Sequence, residues 1–313
     1  MPKVSVIIPV YKVERYIERC ARSLFAQSLD DMEFIFIDDC SPDNSIKILK
    51  LVVDNFPSRK SQIKIFRTEK NSGQALVRKI GVEHAKGDFV IHCDSDDWVD
   101  ETAYEKMYNM AMTYDSDMVV CDYSIVTDES YQSMIGCHDR DKRCYFENIL
   151  AQKDVGTLWN KMCKSTLYND LIWPKGNMGE DLLISIQQVY NSQSIVYLPQ
   201  ALYYYNRNNA SISASMDKEV VVYRFYQSKA NVEGLKCFFL EKGMYDKYHD
   251  EIDRMLFNKK NLLRPLIAEK KYYCLWKDTF SELNYRIFFN KKVTIGMKAK
   301  HILALMNLYH KEW

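Results

Sequence analysis

Asp94-Ser95-Asp96 follows an apolar run and holds two carboxylates at positions i and i+2. In an extended strand end those positions point the same way, so both carboxylates address one spot. Close like charges are unfavourable unless a cation sits between them. Hard oxygen ligands suit Mg²⁺ or Mn²⁺, which complete their shells with substrate phosphates and water. Asp38-Asp39 repeats the theme before Cys40-Ser41-Pro42-Asp43. Ser41 as an N-cap with Pro42 as the first helical residue would explain that stretch structurally. A carboxylate there could equally accept a hydrogen bond from a base or a ribose hydroxyl.

Three further clusters carry polar chemistry. Asn71-Ser72-Gly73-Gln74 precedes a helical pattern containing Arg78. It reads as a helix-start loop, or as a loop that lets backbone approach a ligand with a cation beside it. Gly179-Glu180-Asp181 stands ahead of the amphipathic segment 182–190. Acids are favoured in a first helical turn, and an Asp or Glu can also serve as general base toward a hydroxyl. Arg207, in the polar stretch that runs on to Ser213, has the geometry that suits a leaving phosphate.

The elements that must position these residues are legible in the first 120 residues. Strands are expected at 4–10, 33–37, 63–67, 88–93 and 117–121. Helices are expected at 13–27, 44–56, 74–85 (with Gly87 as its stop signal) and 101–114. This alternation implies βαβ units, a mostly parallel sheet and helices on both faces. Ligands in such folds bind beyond the carboxyl ends of the strands, where Pro9-Val10-Tyr11, Asp38-Asp39 and the 94–97 cluster fall. From 122 to 215 the pattern is less regular, with aromatic and Asn/Lys-rich stretches such as Trp159-Asn160-Lys161 and Tyr203–Asn206. From 216 onward it is helical and rich in lysine.

The chain has 313 residues, 47% of them apolar, and a formal net charge of +1. That is enough to build a substantial core, while so small a net charge says little about partners; no nucleic-acid partner is expected. Residues 254–313 hold 13 Lys or Arg against 4 Asp or Glu, a net of +9, which leaves the remainder at −8. The nine cysteines form no C-x-x-C pair and are odd in number, which argues against a zinc site and a disulfide framework and fits a reducing cytoplasm. The opening run reads as a strand rather than a signal peptide, and no window of 18 apolar residues suggests a bilayer span. Neither a Gly-x-Gly-x-x-Gly turn nor a Gly-x₄-Gly-Lys-Ser/Thr loop is present, so dinucleotide-dependent redox and P-loop chemistry are set aside.

Three segments, VSVIIPVYKVERYI, FIDDCSPDNS and NSGQALVRKIGVEHAKGDFVIHCDSDDWVD, resemble in order and spacing the family-2 glycosyltransferases of the GT-A fold. The resemblance runs from about Val4 to Ser213. It implies an α/β, Rossmann-like, mostly parallel sheet in a catalytic domain of residues 1–215; the helical, basic region at 216–313 lies outside it and is read from its own pattern. The resemblance implies inverting transfer of a hexosyl or N-acetylhexosaminyl group from a nucleotide sugar, a UDP-sugar above all, to a glycan or lipid-linked glycan. Pro9 and Tyr11 would line the nucleoside pocket and Asp39 would read the base. Asp96 would be the principal ligand of Mn²⁺ or Mg²⁺, and Asp94 would contact the ribose or help hold the metal. Arg78, Arg207 and Ser213 would serve the diphosphate, and Asp181 would be the general base with Glu180 beside it. Trp159, Asn160 and Lys161 would lie on the acceptor side. The basic C-terminal region either packs on the catalytic domain or meets an anionic membrane surface from the cytoplasm. A nucleotide-sugar-binding scaffold without activity is the rival reading.

Overall fold

The computed structural model describes residues 1–127, 130–134, 141–207 and 217–308. The chain divides into two compact units. The first comprises Met1–Trp173 with Ile184–Asn208, and the second Pro174–Leu183 with Asn209–Trp313. Division by sequence at 215 keeps residues 174–183 with the first unit, whereas in the structure they pack with the second. The reason is local. Asn231 Oδ1 accepts the backbone N–H groups of Lys175 and Gly176 at 3.1 Å each, and Gln227 Oε1 accepts that of Asn177 at 2.7 Å.

The first unit is built on a nine-stranded sheet. In chain order its strands are β1 (Val4–Val10), β2 (Met32–Asp38), β3 (Ile63–Arg67), β4 (Phe89–His92), β5 (Trp98–Val99), β6 (Met118–Val126), β7 (Tyr131–Met134), β8 (Lys161–Lys164) and β9 (Ile195–Asn206). The spatial order is β3-β2-β1-β4-β8-β6-β9-β5, with β7 paired to β6. β1 is parallel to β2 and β4, β2 to β3, and β6 to β9; β8 runs antiparallel to both β4 and β6. The continuous apolar runs become strands because both faces are covered: β1 and β2 bury nearly every residue. Glu33 is tolerated inside β2 because Ser5 Oγ, Lys64 Nζ and the Lys86 N–H all donate to it.

The register brings the polar strand ends together. Val10 lies opposite Asp38 and Ile7 opposite His92, so the chains leaving β1, β2 and β4 emerge at one sheet edge. Helices α1 (Ile17–Phe25), α2 (Ser45–Asp54), α3 (Gln74–His84) and α4 (Ala103–Thr113) connect them. α5 (Lys142–Leu150) and α6 (Glu180–Asn191) follow. The β6–β9 ladder is irregular: Cys121 faces Leu198 but Tyr123 faces Tyr203, so β9 carries three surplus residues over that stretch.

Two local expectations change. α2 is capped at Asn44 rather than Ser41, because Ser41 is occupied in the loop: its Oγ accepts Lys12 N–H at 2.8 Å and donates to Asp43 at 2.6 Å. Gly87 does not end α3, whose C-cap is Ala85. Gly87 instead presses on β1, where a Cβ would lie 2.7 Å from the Ser5 backbone nitrogen and 2.9 Å from the Val4 carbonyl carbon.

The second unit is helical: α7 (Lys218–Glu241), α8 (Tyr245–Lys260), α9 (Lys270–Asp278), α10 (Leu283–Arg286) and α11 (Ile295–Leu305). Its core gathers Phe225, Leu263, Ile267, Trp276 and Ala304. Lys260 is buried within it, donating to Thr279 O at 2.7 Å, Asn284 Oδ1 at 2.6 Å and Lys277 O at 3.3 Å, and burial pushes its pKa down to about 8. The eight described cysteines are free thiols.

The Gly87 contact is with backbone, which cannot swing aside. Gly87→Ala is therefore expected to cost about 1–3 kcal/mol, the usual range for overpacking. Denaturant unfolding of the variant should show a lower midpoint; an unchanged midpoint at unchanged slope would contradict the close approach.

Candidate functional site

The carboxyl edge of β1, β2 and β4 holds the acidic cluster. Asp94, Asp96 and Asp97 lie in four consecutive residues, and the structure deals with each differently. Asp94 Oδ1 accepts from Arg78 at 2.8 Å, and the Arg78 side chain is fully enclosed. Arg78 is thus placed beneath the cluster rather than on an open surface, and it acts by neutralising Asp94. Gln74 Nε2 donates to the same oxygen at 3.4 Å. Asp97 is buried and accepts from Tyr203 Oη at 2.6 Å and from the Asn206 N–H at 2.7 Å. Burial, with Asp96 and Asp94 nearby, still pushes its carboxyl well above the ordinary range.

Asp96 has neither an enclosed cation nor such a pair of donors among the hydrogen bonds described. Burial first, and the Asp94 charge second, push its carboxyl up to about 6. A divalent cation would relieve both loads, and the hard oxygens of Asp96 and Asp94 fit such an ion. Among the described residues no group of three or more His, Cys, Asp or Glu side chains is arranged to hold a metal by itself. The remaining ligands would have to come from substrate and water, the usual habit of Mg²⁺.

Asp39 organises a loop. Its carboxylate accepts Ser72 N–H at 2.7 Å, Gly73 N–H at 2.8 Å and Thr68 Oγ1 at 3.0 Å. Gly73, at φ 84°, adopts the left-handed conformation that glycine takes without strain and opens α3. Asp39 is nearly enclosed, so any contact with a base uses lone pairs left over from the loop. Pro9 is partly exposed and Tyr11 is 41% exposed at the end of β1. Asp38 turns inward to accept Ser41 N–H at 2.8 Å.

Trp159, Asn160 and Lys161 are all buried. Lys161 Nζ donates to Val155 O at 3.1 Å, Thr157 O at 2.7 Å and Asn160 Oδ1 at 2.9 Å, while Asn160 Nδ2 donates to Cys121 O at 3.2 Å. They hold the 155–160 turn against β6, with their side chains buried. Arg207 is exposed, with its N–H on Val126 O at 2.8 Å. Ser213 lies outside the described residues. Glu180 and Asp181 open α6 after Gly179, which sits at φ 80°. Glu180 is buried and Asp181 partly so. The loop before them is tied down within the second unit, where Asn231 Nδ2 also donates to Gly176 O and Met178 O.

Four participants escape sequence reasoning. Asp97 reads as one more loop aspartate, although its fixed place after Asp94-Ser95-Asp96 is a signal. Tyr203 and Tyr205 lie in an aromatic stretch whose alternation was visible but whose partners were not. Arg19 sits 3.5 Å over the Trp98 ring, in the electrostatic range of Asp97 and Asp96, and nothing around it in sequence announces this.

The model of glycosyl transferase family 2 matches residues 5–163, just over half of the chain. The chain is 28% identical over 265 residues to a putative glycosyltransferase, EpsH, of Bacillus subtilis, covering 82% of this chain and 74% of that one. The fold matches Staphylococcus aureus TarS in complex with UDP-GlcNAc at a TM-score of 0.62 and 17% identity, over 98% of this chain and 88% of that one. It also matches a mannosyltransferase of Pyrobaculum calidifontis in complex with GDP-Man and Mn²⁺ at a TM-score of 0.52 and 14% identity, over 100% and 88% of the two chains. With its GT-A-like α/β sheet and the acidic edge carried by residues 5–163, the chain belongs to glycosyl transferase family 2, enzymes that move sugar from nucleotide-sugar donors.

Proposed function

We propose that the chain is an inverting, metal-dependent transferase that moves a hexosyl or N-acetylhexosaminyl group from a UDP-sugar to a hydroxyl of a glycan or lipid-linked glycan. The observation that carries this reading is the unequal compensation of the cluster at the carboxyl edge of β4. Arg78 neutralises Asp94 and Tyr203 with Asn206 hold Asp97, while Asp96 has no comparable donor among the described hydrogen bonds; burial and neighbouring charge push both Asp96 and Asp97 up. UDP-GlcNAc in TarS and Mn²⁺ with GDP-Man in the archaeal mannosyltransferase support the donor class and the metal.

In this reading Asp96, with Asp94, holds Mn²⁺ or Mg²⁺, which when bound supplies Lewis-acid stabilisation to the diphosphate. Pro9 and Tyr11 flank the nucleoside, and Asp39 shapes the 68–73 loop that meets it. Arg207 and Ser213 serve the diphosphate, which leaves with the electron pair of its bond to the anomeric carbon. The acceptor oxygen forms the new bond on the opposite face, and its proton passes to Asp181, with Glu180 beside it. Trp159, Asn160 and Lys161 serve the acceptor indirectly, by fixing the turn they fill.

Asp96→Ala should remove turnover and weaken UDP-sugar binding together, and EDTA should do the same to wild type. Full transfer in thorough EDTA would end the metal assignment. Asp181→Asn keeps shape but cannot take a proton. It should bind donor and Mn²⁺ about as well as wild type while kcat falls roughly 10²–10⁴-fold, the usual contribution of a positioned acid or base. A variant with near-wild-type kcat would transfer the role to Glu180.

A second reading concerns the membrane surface. Tyr285, Phe289 and Ile295 are 74%, 85% and 87% exposed, and residues 285–300 include Arg286, Lys291, Lys292, Lys298 and Lys300 with no acid. Among the described residues no helix is long and apolar enough to cross a membrane. Such an edge suits peripheral contact with anionic lipid on the cytoplasmic face. Wild type should sediment with anionic vesicles, less so as salt rises, and Phe289→Ser with Ile295→Ser should reduce this without changing donor turnover. Equal sedimentation with neutral and anionic vesicles would refute the reading.

A further inference from the structure

Along β9 the side chains alternate between the two faces of the sheet. Tyr204 takes one face and stacks on Trp98, with ring centroids 5.4 Å apart and planes at 11°. Tyr203 and Tyr205 take the other. Tyr203 identifies that face, since its hydroxyl donates to Asp97 at 2.6 Å and accepts the Asp94 N–H at 3.1 Å. Tyr205 therefore stands on the side of the acidic cluster, one residue before Asn206, whose N–H holds Asp97.

The Tyr205 ring belongs to a group of three near-parallel rings. Trp159 stacks with Tyr203, at 4.3 Å and 11°, and with Tyr205, at 6.0 Å and 12°. Tyr203 and Trp159 are buried, and Tyr123 meets Trp159 edge-on at 4.8 Å. The orientation of Tyr205 is thus set by a packed support. Tyr205 as a residue remains 37% exposed. Burial and the charges of Asp97, Asp96 and Asp94 push its phenol up, so near neutral pH it stays protonated and can donate a hydrogen bond.

We propose that Tyr205 is a pyranose-stacking subsite beside the acidic cluster, its exposed ring face receiving the C–H face of a sugar and its hydroxyl donating to a ring substituent. The inference rests on the glycosyltransferase reading and adds a residue to it. An aromatic face carries negative quadrupole and attracts the weakly positive C–H groups of a pyranose, and the flat support orients that contact. A sugar is the chemistry that pairs one apolar face with a rim of hydroxyls, matching a ring bordered by carboxylates and Arg207. The sugar of the donor and that of the acceptor present the same face, and the experiment separates them.

Tyr205→Leu removes the ring and Tyr205→Phe keeps it without the hydroxyl. Affinities for UDP and for UDP-GlcNAc, UDP-glucose and UDP-galactose are measured by titration calorimetry with Mn²⁺. Transfer kinetics are measured on a panel of methyl pyranosides. UDP binding should be unchanged in both variants, which also shows that they are folded. If the donor sugar stacks, Tyr205→Leu weakens UDP-sugar binding threefold to tenfold or more while Tyr205→Phe stays near wild type, as expected for an aromatic contact of this size. If the acceptor sugar stacks, the same pattern appears in the KM for the pyranoside and not in donor affinity. Loss of UDP affinity equal to that of the UDP-sugar, or unchanged UDP-sugar affinity and acceptor KM in Tyr205→Leu, overturns the proposal. Absence of UDP-sugar turnover in wild type would instead count against the donor assignment itself.

Discussion

Three carboxylates in four residues repel one another, and the architecture around β4 can be understood as the answer to that repulsion. Asp94 is matched by an arginine enclosed under the sheet edge. Asp97 is held by a tyrosine hydroxyl and a backbone N–H from β9, a strand more than a hundred residues away. Each solution recruits a different part of the fold: α3 supplies Arg78, and β9 supplies Tyr203 and Asn206. What is left over is Asp96, which has neither an enclosed cation nor a pair of donors among its described hydrogen bonds, and whose carboxyl is pushed up to about 6 by burial first and the Asp94 charge second. Unrelieved charge of this kind is characteristic of sites that complete themselves with a ligand.

The parts of this arrangement that depend on short-range pattern were legible in the sequence. Val4–Val10 and Phe34–Ile37 are continuous apolar runs, and a buried parallel strand is the structure that accepts them. Their polar ends then fall on one edge by topology alone. The partners were not legible. Ser41 looked like a helix cap because Ser-Pro-Asp is cap-like locally, yet its hydroxyl is claimed by Lys12 from another loop. Trp159-Asn160-Lys161 looked polar and accessible, yet three carbonyl-type acceptors on the same turn make a buried ammonium tolerable. Gly87 looked like a helix stop because the signal is usually right, and its actual neighbour, β1, is 82 residues distant. The Ser41 and Gly87 misses come from contacts of long sequence separation, which periodicity does not encode, and the Lys161 miss from a local winding of the turn that residue types alone do not announce.

Lys161 and Lys260 solve one problem in the same way in the two units. Each is buried, and neutral oxygens converge on its ammonium group. A carboxylate would satisfy one direction strongly, whereas several neutral acceptors fix three at once. Both lysines thereby act as centres around which irregular backbone is wound, where regular hydrogen-bond ladders are absent.

The bulge between β6 and β9 has a consequence for how this family can drift. The surplus of three residues on β9 is odd, so the side-chain parity after Leu198 is opposite to what an uninterrupted ladder would give. It is the bulge, therefore, that decides whether Tyr205 or Tyr204 looks toward the aspartates. Loss or gain of a single residue between 198 and 203 would exchange the two tyrosines and turn the Asp97 anchor outward. In this chain the length of the 198–203 stretch, more than the identity of any one residue in it, therefore sets which side chains at the end of β9 face the aspartates.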